Sequence, residues 1–221
     1  IYVANLAKAN KELQELYDLE GSDKMQILKL LTRLRQLCLE PRLVYDNIDQ
    51  PSSKLKACME LIKTMQENKQ KVLLFSSFTS VLDLIAEECQ KAGITYYMLT
   101  GSTNKEDRRE LVSRFQKDDT TVFLISLKAG GTGLNLTSAE AVIHFDPWWN
   151  VSAQNQATDR AYRIGQKNNV QVFNLVMKDS VEEKIIELQK RKKELADMFV
   201  ENNSGGLSQM SKEDILSLFT M

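Results

Sequence analysis

Hydrophobic residues in the middle of the chain form short continuous runs, and the segments between these runs repeat apolar side chains every three or four residues. Continuous apolar runs predict strands buried on both faces, whereas the wider spacing predicts helices with one apolar face. The runs that predict strands cover residues 71–75, 94–99, 121–126, 141–145 and 170–176. Strand and helix alternate with short connections, which favours parallel strands joined by right-handed crossovers. We therefore expect an α/β fold in which a doubly wound parallel sheet carries helices on both faces.

Both ends of the chain show helical spacing without strands. Residues 3–19 and 23–39 predict two helices that form a hairpin, the second ending before Pro41. Residues 181–199 predict one long helix with a basic run in its second half. The expected organisation is a helical N-terminal extension over residues 1–50, the α/β lobe over residues 51–180 and a helical C-terminal extension over residues 181–221.

The charged residues of the chain nearly balance, with 29 Lys and Arg against 30 Asp and Glu and a formal net charge of −1. This balance excludes a globally basic nucleic-acid-binding domain and restricts any nucleic-acid interface to a local patch. No segment is apolar enough to cross a membrane or resembles a signal peptide, so we expect no membrane partner and a cytoplasmic location, or a nuclear one in a eukaryote. Because the chain begins at Ile1 and not at Met, we also expect a piece of a longer protein.

Cysteine and histidine are not spaced for a metal site. Cys38, Cys58 and Cys89 are far apart and odd in number, which indicates buried free thiols in a reducing compartment. His144, the single histidine, lies inside an apolar run, and we interpret it as a core or strand-end residue. No metal ligands are predicted in this chain.

A helix predicted over residues 152–164 combines a polar stripe with a stripe of small residues. Gln156, Arg160 and Arg163 are spaced at i, i+4 and i+7 and share the polar stripe. The small residues are Ala153, Ala157 and Ala161. Guanidinium groups are planar, permanently charged donors, so two of them on a rigid helix suit phosphate oxygens. The alternative is a solvated surface face. Asp146, at the end of the preceding buried strand, favours a site, since ligands gather at the carboxyl ends of parallel strands.

Polar loops follow the first three predicted strands. They offer hydroxyls, backbone amides and one lysine, and the carboxyl ends of parallel strands meet at one edge of a sheet. The alternative is that these residues only make turns and helix caps. Three such loops at one edge suit phosphate oxygens, whether of a nucleotide or of the DNA backbone, and they favour function only together with the family resemblance given next. The candidate DNA-contacting residues in these loops are Ser76, Ser77, Thr100, Gly101, Ser102, Lys128, Ala129 and Gly130.

Three stretches in this order resemble motifs of the Swi/Snf-type ATPases, a branch of the superfamily-two helicases. Residues 126–136 (SLKAGGTGLNL) resemble motif V, and residues 156–166 (QATDRAYRIGQ) resemble motif VI. Between them, Asp146, Trp149 and Asn150 match an Asp-x-x-Trp-Asn pattern that is typical of the family. The resemblance runs over residues 34–188 and implies the C-terminal RecA-like lobe of such a motor, followed by a brace-like helix.

The resemblance implies a role for each candidate residue. Arg160 and Arg163 are implied to be catalytic through the terminal phosphates of ATP, with Gln156 beside them. The implied nucleotide-binding residues are Gly131, Gly133 and Asp146. Trp149 is implied to approach the DNA groove, whereas Trp148 packs inside the protein.

Two positions depart from the family pattern. Glu40 stands before Pro41 where histidine is common, and we expect no catalytic consequence. Val151 follows Asn150 where proline is common, so the conformation of the Trp-Trp loop is open.

The phosphate cradle and the acidic pair that ATP hydrolysis needs are not found in this sequence. It contains no Gly-x-x-x-x-Gly-Lys-Ser/Thr and no Asp-Glu pair at the end of an apolar strand. We therefore expect that this chain alone does not hydrolyse ATP, and that ATP and Mg²⁺ are bound mainly by an upstream RecA-like lobe of the same polypeptide. The expected function is that of the second lobe of a translocase that moves on double-stranded DNA and remodels a DNA-bound protein. The compact lobe resembles the bacterial branch of the family.

Two other functions remain open. The first is a strand-separating or RNA-directed helicase lobe, against which Gln166 ends the arginine motif where RNA helicases usually have another arginine. The second is a non-catalytic interaction module that retains the fold. The intact stripe of Gln156, Arg160 and Arg163 argues against it, because a degenerate lobe has no need of this stripe.

Overall fold

The computed structural model describes residues 1–18, 24–130, 134–161, 169–198 and 212–219. The chain divides into two compact units, one from residues 1–54 and 176–221 and the other from residues 55–175. The first unit is helical, and the second contains the sheet.

The described elements follow the predicted order of helices and strands. In chain order the α-helices are α1 (Tyr2–Asp18), α2 (Lys24–Leu39), α3 (Ser53–Glu67), α4 (Thr79–Lys91), α5 (Lys105–Lys117), α6 (Leu127–Gly130), α7 (Val151–Thr158), α8 (Val181–Met198) and α9 (Lys212–Ser217). The strands are β1 (Val72–Ser76), β2 (Tyr96–Leu99), β3 (Val122–Ser126), β4 (Ala141–His144) and β5 (Gln171–Asn174). No helix in the described ranges is both long enough and apolar enough to cross a membrane.

The five strands form one parallel sheet in the order β2-β3-β1-β4-β5. Every residue of β1, β3 and β4 is buried, as continuous apolar runs predict for strands covered on both faces. The predicted α/β fold is confirmed. Because β1 and β3 end in register at Ser76 and Ser126, the loops that follow these two strands begin side by side at the carboxyl edge.

One face of the sheet packs against α5 and the α7 segment in a continuous hydrophobic core. Phe115 of α5 is fully buried, and its ring centroid lies 5.2 Å from that of Phe123 on β3. Burial of such a side chain contributes roughly 1.5–3 kcal/mol. Ala157 and Ala161 belong to the same core at 3% and 0% exposure, so these two members of the small-residue stripe pack closely, as predicted, whereas the side chain of Ala153 lies outside the described residues. The described part of the arginine motif is therefore held close to the sheet.

The helical unit is joined by contacts between segments that are distant in sequence. Helix α1 packs against α2, which confirms the hairpin, and α2 packs against α8. The Lys54 Nζ lies 2.6 Å from the Glu182 carboxylate, and the side chains are only 4% and 1% exposed. Glu182 also accepts a hydrogen bond from the Met177 amide at 2.7 Å. A buried ion pair therefore joins the start of α3 to the first turn of α8.

Glu40 has a structural role where the family often has histidine. It is 1% exposed, and its carboxylate accepts from the Ser52 amide at 2.9 Å. It also lies 3.1 Å from the Arg42 Nε and accepts from the Arg42 amide at the start of a 3-10 helix, Pro41–Leu43. A carboxylate is stabilised at a helix N-terminus by unpaired amides. Glu40 thus fixes the connection between α2 and α3.

The three cysteines are buried free thiols, as predicted. Burial raises the pKa of Cys38 to about 12, and the negative charge of Glu182 adds to the effect. Burial also raises the pKa of Cys89 to about 12. Both thiols therefore stay protonated, and hence unreactive, at neutral pH.

Candidate nucleic-acid interface

The loops after β1, β2 and β3 open into one cleft of about 650 Å³ at the carboxyl edge of the sheet. This volume is within the range of ligand sites, about 300–1,000 Å³. The cleft is lined by Ser77, Thr79, Asp83, Met98, Thr100, Gly101, Ser102, Ser126 and Lys128. The structure thus brings together candidate DNA contacts from all three predicted loops.

The N-terminus of α4 and the side chain of Lys128 give the cleft positive character. The N-cap residue of α4, Phe78, makes no capping hydrogen bond with its side chain, and the first turn of α4 contains no acidic residue. The positive end of the helix dipole and the terminal amides therefore attract anions. Lys128 is exposed and lines the same cleft, and Asp83 contributes a carboxylate to the lining. In contrast, the side chain of Asn104 caps α5 by accepting from the Asp107 amide at 2.9 Å.

The turn that borders the cleft at residues 100–103 is fixed by its own hydrogen bonds. The Thr100 amide donates to the Thr103 hydroxyl at 3.1 Å, and the Thr100 and Ser102 hydroxyls lie 2.8 Å apart. Gly101 is exposed, and a Cβ at this position would meet nothing within 4 Å. The folded protein therefore has no steric need of glycine here, whereas a ligand that approaches the backbone closely would need it.

Asp146 positions the loop that follows β1. It is 1% exposed and accepts from the Ser76 hydroxyl at 2.7 Å and from the Ser77 amide at 3.0 Å, while the Ser77 hydroxyl also donates to it. Ser76 is fully buried, with its hydroxyl bonded to Asp146. Its contact with DNA and the contact of Asp146 with a nucleotide stay predictions.

The residues after β3, expected to form a glycine-rich turn, begin instead with the short helix α6. Arg108 of α5 donates to the Ala129 carbonyl at 3.0 Å, and the Ala129 amide donates to the Ser126 hydroxyl at 3.4 Å. Ala129 is 3% exposed. Both of its backbone polar groups therefore bond within the protein, and the contact of Ala129 with DNA stays a prediction. Lys128 remains exposed, and Gly130 ends α6. Of the predicted nucleotide-binding residues, Gly131 and Gly133 lie outside the described residues.

The arginine segment departs from the predicted helix after Thr158. The amides of Arg160 and Ala161 bond to carbonyls three residues back, at 3.2 and 3.1 Å, as in the tighter turns that end many helices. Gln156 is exposed, but Arg160 is only 3% exposed, so the two do not share an exposed stripe. The Arg160 carbonyl accepts from the Leu136 amide at 3.1 Å. Arg163 lies outside the described residues, and the catalytic roles stay predictions.

His144 links β4 to α7, as expected for a core histidine at a strand end. Its Nε2 lies 2.9 Å from the Thr158 hydroxyl oxygen, and its ring stacks on Phe75 with centroids 5.6 Å apart. Burial lowers the pKa of His144 to about 4, although the charge of Asp146 acts in the opposite direction. His144 is therefore neutral at pH 7.

The Trp-Trp loop is anchored by one tryptophan and by Gln154. Trp148 packs against the hydrophobic core, as predicted. The Trp148 amide donates to the Gln154 Oε1 at 3.2 Å, and the Gln154 Nε2 donates to Asn174 at 3.0 Å. Trp149 is half-buried in the same loop, and its contact with DNA stays a prediction.

Four residues that line the cleft were not predicted as site residues: Thr79, Asp83, Met98 and Ser126. Thr79 could have been found, because it directly precedes the helix predicted to follow the first strand. Asp83 and Met98 had no such signal, because their neighbours in sequence do not show which way they point. Within the ranges that the structure describes, no group of three or more His, Cys, Asp or Glu residues is placed to hold a metal ion.

The sequence matches the model of the helicase conserved C-terminal domain over residues 53–165, more than half of the chain. The chain belongs to this helicase family.

The C-terminal domain is 37% identical over 211 residues to an ATP-dependent helicase of Mycoplasma pneumoniae, covering 95% of this chain and 20% of the relative. It is 37% identical over 205 residues to the putative ATP-dependent helicase/translocase YwqA of Bacillus subtilis, covering 90% and 22%. It is 34% identical over 228 residues to the ISWI chromatin-remodeling complex ATPase ISW1 of Saccharomyces cerevisiae, which covers 94% of this chain and 20% of the relative. The chain thus spans about a fifth of the length of these relatives.

Solved structures place this helicase C-terminal domain with the SWI2/SNF2 ATPases. The Sulfolobus solfataricus SWI2/SNF2 ATPase C-terminal domain is similar at a TM-score of 0.73 and 26% identity, covering 97% of this chain and 92% of that domain. The S. solfataricus SWI2/SNF2 ATPase core in complex with double-stranded DNA is similar at a TM-score of 0.74 and 30% identity, covering 97% and 47%. The RecA-like fold and the SWI/SNF type of the lobe are thereby confirmed.

Proposed function

We propose that this domain is the second motor lobe of an ATP-dependent translocase on double-stranded DNA. The observation that carries the proposal is the cleft, where the hydroxyls of Thr100 and Ser102, the Lys128 cation and the N-terminus of α4 converge. These groups suit phosphate oxygens and do not read base edges. We therefore expect binding with little sequence preference and strong salt dependence. The similar ATPase core that was solved with double-stranded DNA supports this assignment.

The lobe is also proposed to supply arginines to ATP that is held, with Mg²⁺, mainly by an upstream lobe of the same polypeptide. ATP supplies the phosphoryl group whose hydrolysis drives the motor. Arg160 and Arg163 donate to its terminal phosphates, and such arginines are worth roughly a thousandfold or more in rate. Because Arg160 is 3% exposed, this contact requires its side chain to turn toward the ligand. The chain alone is expected to be inactive as an ATPase.

Each lobe grips the DNA backbone, so a cycle of lobe closure and opening moves the motor along the duplex. A protein bound to the DNA ahead of the motor is then displaced or remodelled. The same contacts do not require the two strands to separate, which favours translocation on intact duplex.

The DNA surface can be tested by measuring the affinity of this chain for a labelled duplex between about 50 and 200 mM salt. Lys128→Ala is expected to weaken binding and to reduce the salt slope by about 1. Gly101→Ala is expected to weaken binding without unfolding the protein, because the added Cβ points into open space. The control is Lys91→Ala, an exposed lysine outside the cleft lining. Wild-type affinity in both cleft variants would show that the cleft does not bind DNA.

A further inference from the structure

We infer that Gln116 is a positioning residue for the arginine segment at the exit of α7. The inference rests on the proposed function, because that function gives the segment its catalytic purpose. Gln116 is half-buried in the last turn of α5. Its Nε2 donates to the Asn135 carbonyl at 2.7 Å, and its Oε1 accepts from the Ser138 amide at 3.0 Å. One side chain therefore holds two points of the backbone on either side of Leu136.

The two contacts fix the orientation of the Gln116 amide group. A carboxamide donates from its nitrogen and accepts at its oxygen, so the reversed orientation would oppose donor to donor and acceptor to acceptor. The same backbone segment is held a second time, because the Ser138 hydroxyl donates to the Phe115 carbonyl at 3.4 Å. The C-terminal end of α5 thus holds residues 135–138 in place through three hydrogen bonds, and we call this set of contacts the bracket.

Leu136 connects this bracket to the arginine motif. Its amide donates to the Arg160 carbonyl at 3.1 Å, and its side chain is fully buried in the core. Its own carbonyl accepts from the Ala139 amide at 3.1 Å. At Arg160 the α-helix has already ended, so the Leu136 amide supplies a contact that fixes the backbone there. A displacement of residues 135–138 would therefore move Arg160.

The N-terminal end of α5 lies next to the cleft that is proposed to bind DNA. Asn104 caps the helix directly after the turn that contains Thr100 and Ser102. One turn later, Arg108 donates to the Ala129 carbonyl of α6, next to Lys128. A helix rises about 1.5 Å per residue, so Arg108 and Gln116 lie about 12 Å apart on one rigid element. Through α5, Gln116 joins the surface proposed to hold DNA to the segment proposed to act on ATP.

The test uses the longer protein that includes the upstream lobe, and measures steady-state ATP hydrolysis with saturating duplex DNA. Gln116→Met keeps the length of the side chain and removes both hydrogen bonds. We expect kcat to fall by roughly tenfold, a change of about 1.4 kcal/mol in the barrier, while the KM for ATP and the thermal unfolding midpoint stay near wild type. The control is Gln90→Met, an exposed glutamine on α4, which should leave kcat unchanged. A purely structural role would instead lower the unfolding midpoint and spare kcat.

A second arm places Gln116→Met in an Arg160→Ala background under single-turnover conditions. If Gln116 acts through Arg160, it causes no further loss of rate there. An equal loss in both backgrounds, or a wild-type kcat for Gln116→Met alone, overturns the inference and leaves the proposed function intact. If Arg160→Ala itself keeps the wild-type rate, the proposed arginine function fails instead. If Arg160→Ala does not fold, Arg160→Lys replaces it as the background with the same criteria.

Discussion

Removal of one partner of the buried Lys54–Glu182 ion pair should destabilise the protein by several kcal/mol. The two charged groups are 2.6 Å apart, and their side chains are 4% and 1% exposed. Lys54→Met leaves the carboxylate buried without its cation, a change that costs about 3–5 kcal/mol. Adding Glu182→Gln removes the stranded charge and keeps an oxygen that can accept from the Met177 amide. We therefore expect the double variant to recover most of the lost stability.

The exposed pair of Arg114 and Glu110 is a matched control, because its charged groups are also 2.6 Å apart. These side chains are 60% and 58% exposed, and the residues lie one helical turn apart. Arg114→Met should cost at most about 0.5 kcal/mol, since exposed pairs at this spacing contribute little. Urea unfolding followed by circular dichroism gives the free energy of unfolding of each variant. Equal costs for Lys54→Met and Arg114→Met, or a double variant no more stable than Lys54→Met, would refute the reasoning that burial sets the value of the pair.

Three further predictions concern His144, Asp146 and Gly93. Burial lowers the pKa of His144 from 6.5 to about 4. Between these two pH values the unfolded chain binds a proton at this histidine, whereas the folded protein does not. The free energy of unfolding should therefore fall between pH 6.5 and 4 by on the order of 3 kcal/mol, and His144→Gln should flatten this slope in urea titrations. Asp146→Ala removes the acceptor of the buried Ser76 hydroxyl and should lower the free energy of unfolding by about 1–3 kcal/mol. Asp146→Asn keeps one acceptor oxygen and should lower it less. Equal losses of stability for the two variants in thermal unfolding would contradict this interpretation. Gly93 has a φ of +68°, so Gly93→Ala should lower the free energy of unfolding by about 1 kcal/mol, although a Cβ there meets nothing within 4 Å. Gly101 has no positive φ, so Gly101→Ala should leave stability unchanged. Thermal unfolding of both variants checks this difference.

The layout of the sheet could be predicted because each type of buried secondary structure requires its own spacing of hydrophobic residues along the sequence. A strand buried on both faces needs a continuous apolar run, and Val72–Ser76 and Val122–Ser126 show it in sequence and structure alike. Parallel strands end at one edge, so the meeting of the loops that contain Ser77, Thr100 and Lys128 followed from topology.

The orientation of individual polar side chains could not be predicted in the same way. Spacing placed Gln156 and Arg160 on one stripe, but the chain leaves the helix after Thr158, and Arg160 is buried. Ser76 looked like a loop residue, yet its hydroxyl is used by a carboxylate 70 positions later in the chain. Gln116 bonds to backbone atoms of a distant segment, and a residue whose partners are backbone groups leaves no mark in the pattern of side chains.

The most direct test of the motor function is the ATPase rate of the longer protein, with and without duplex DNA, for wild type and for Arg163→Ala. We expect duplex DNA to stimulate the wild type. We expect Arg163→Ala to lose roughly a thousandfold of that rate while it still binds nucleotide. A variant that matches the wild type would show that the arginine motif does not act on ATP. A wild type without ATPase activity in the presence of duplex DNA would contradict the motor function itself.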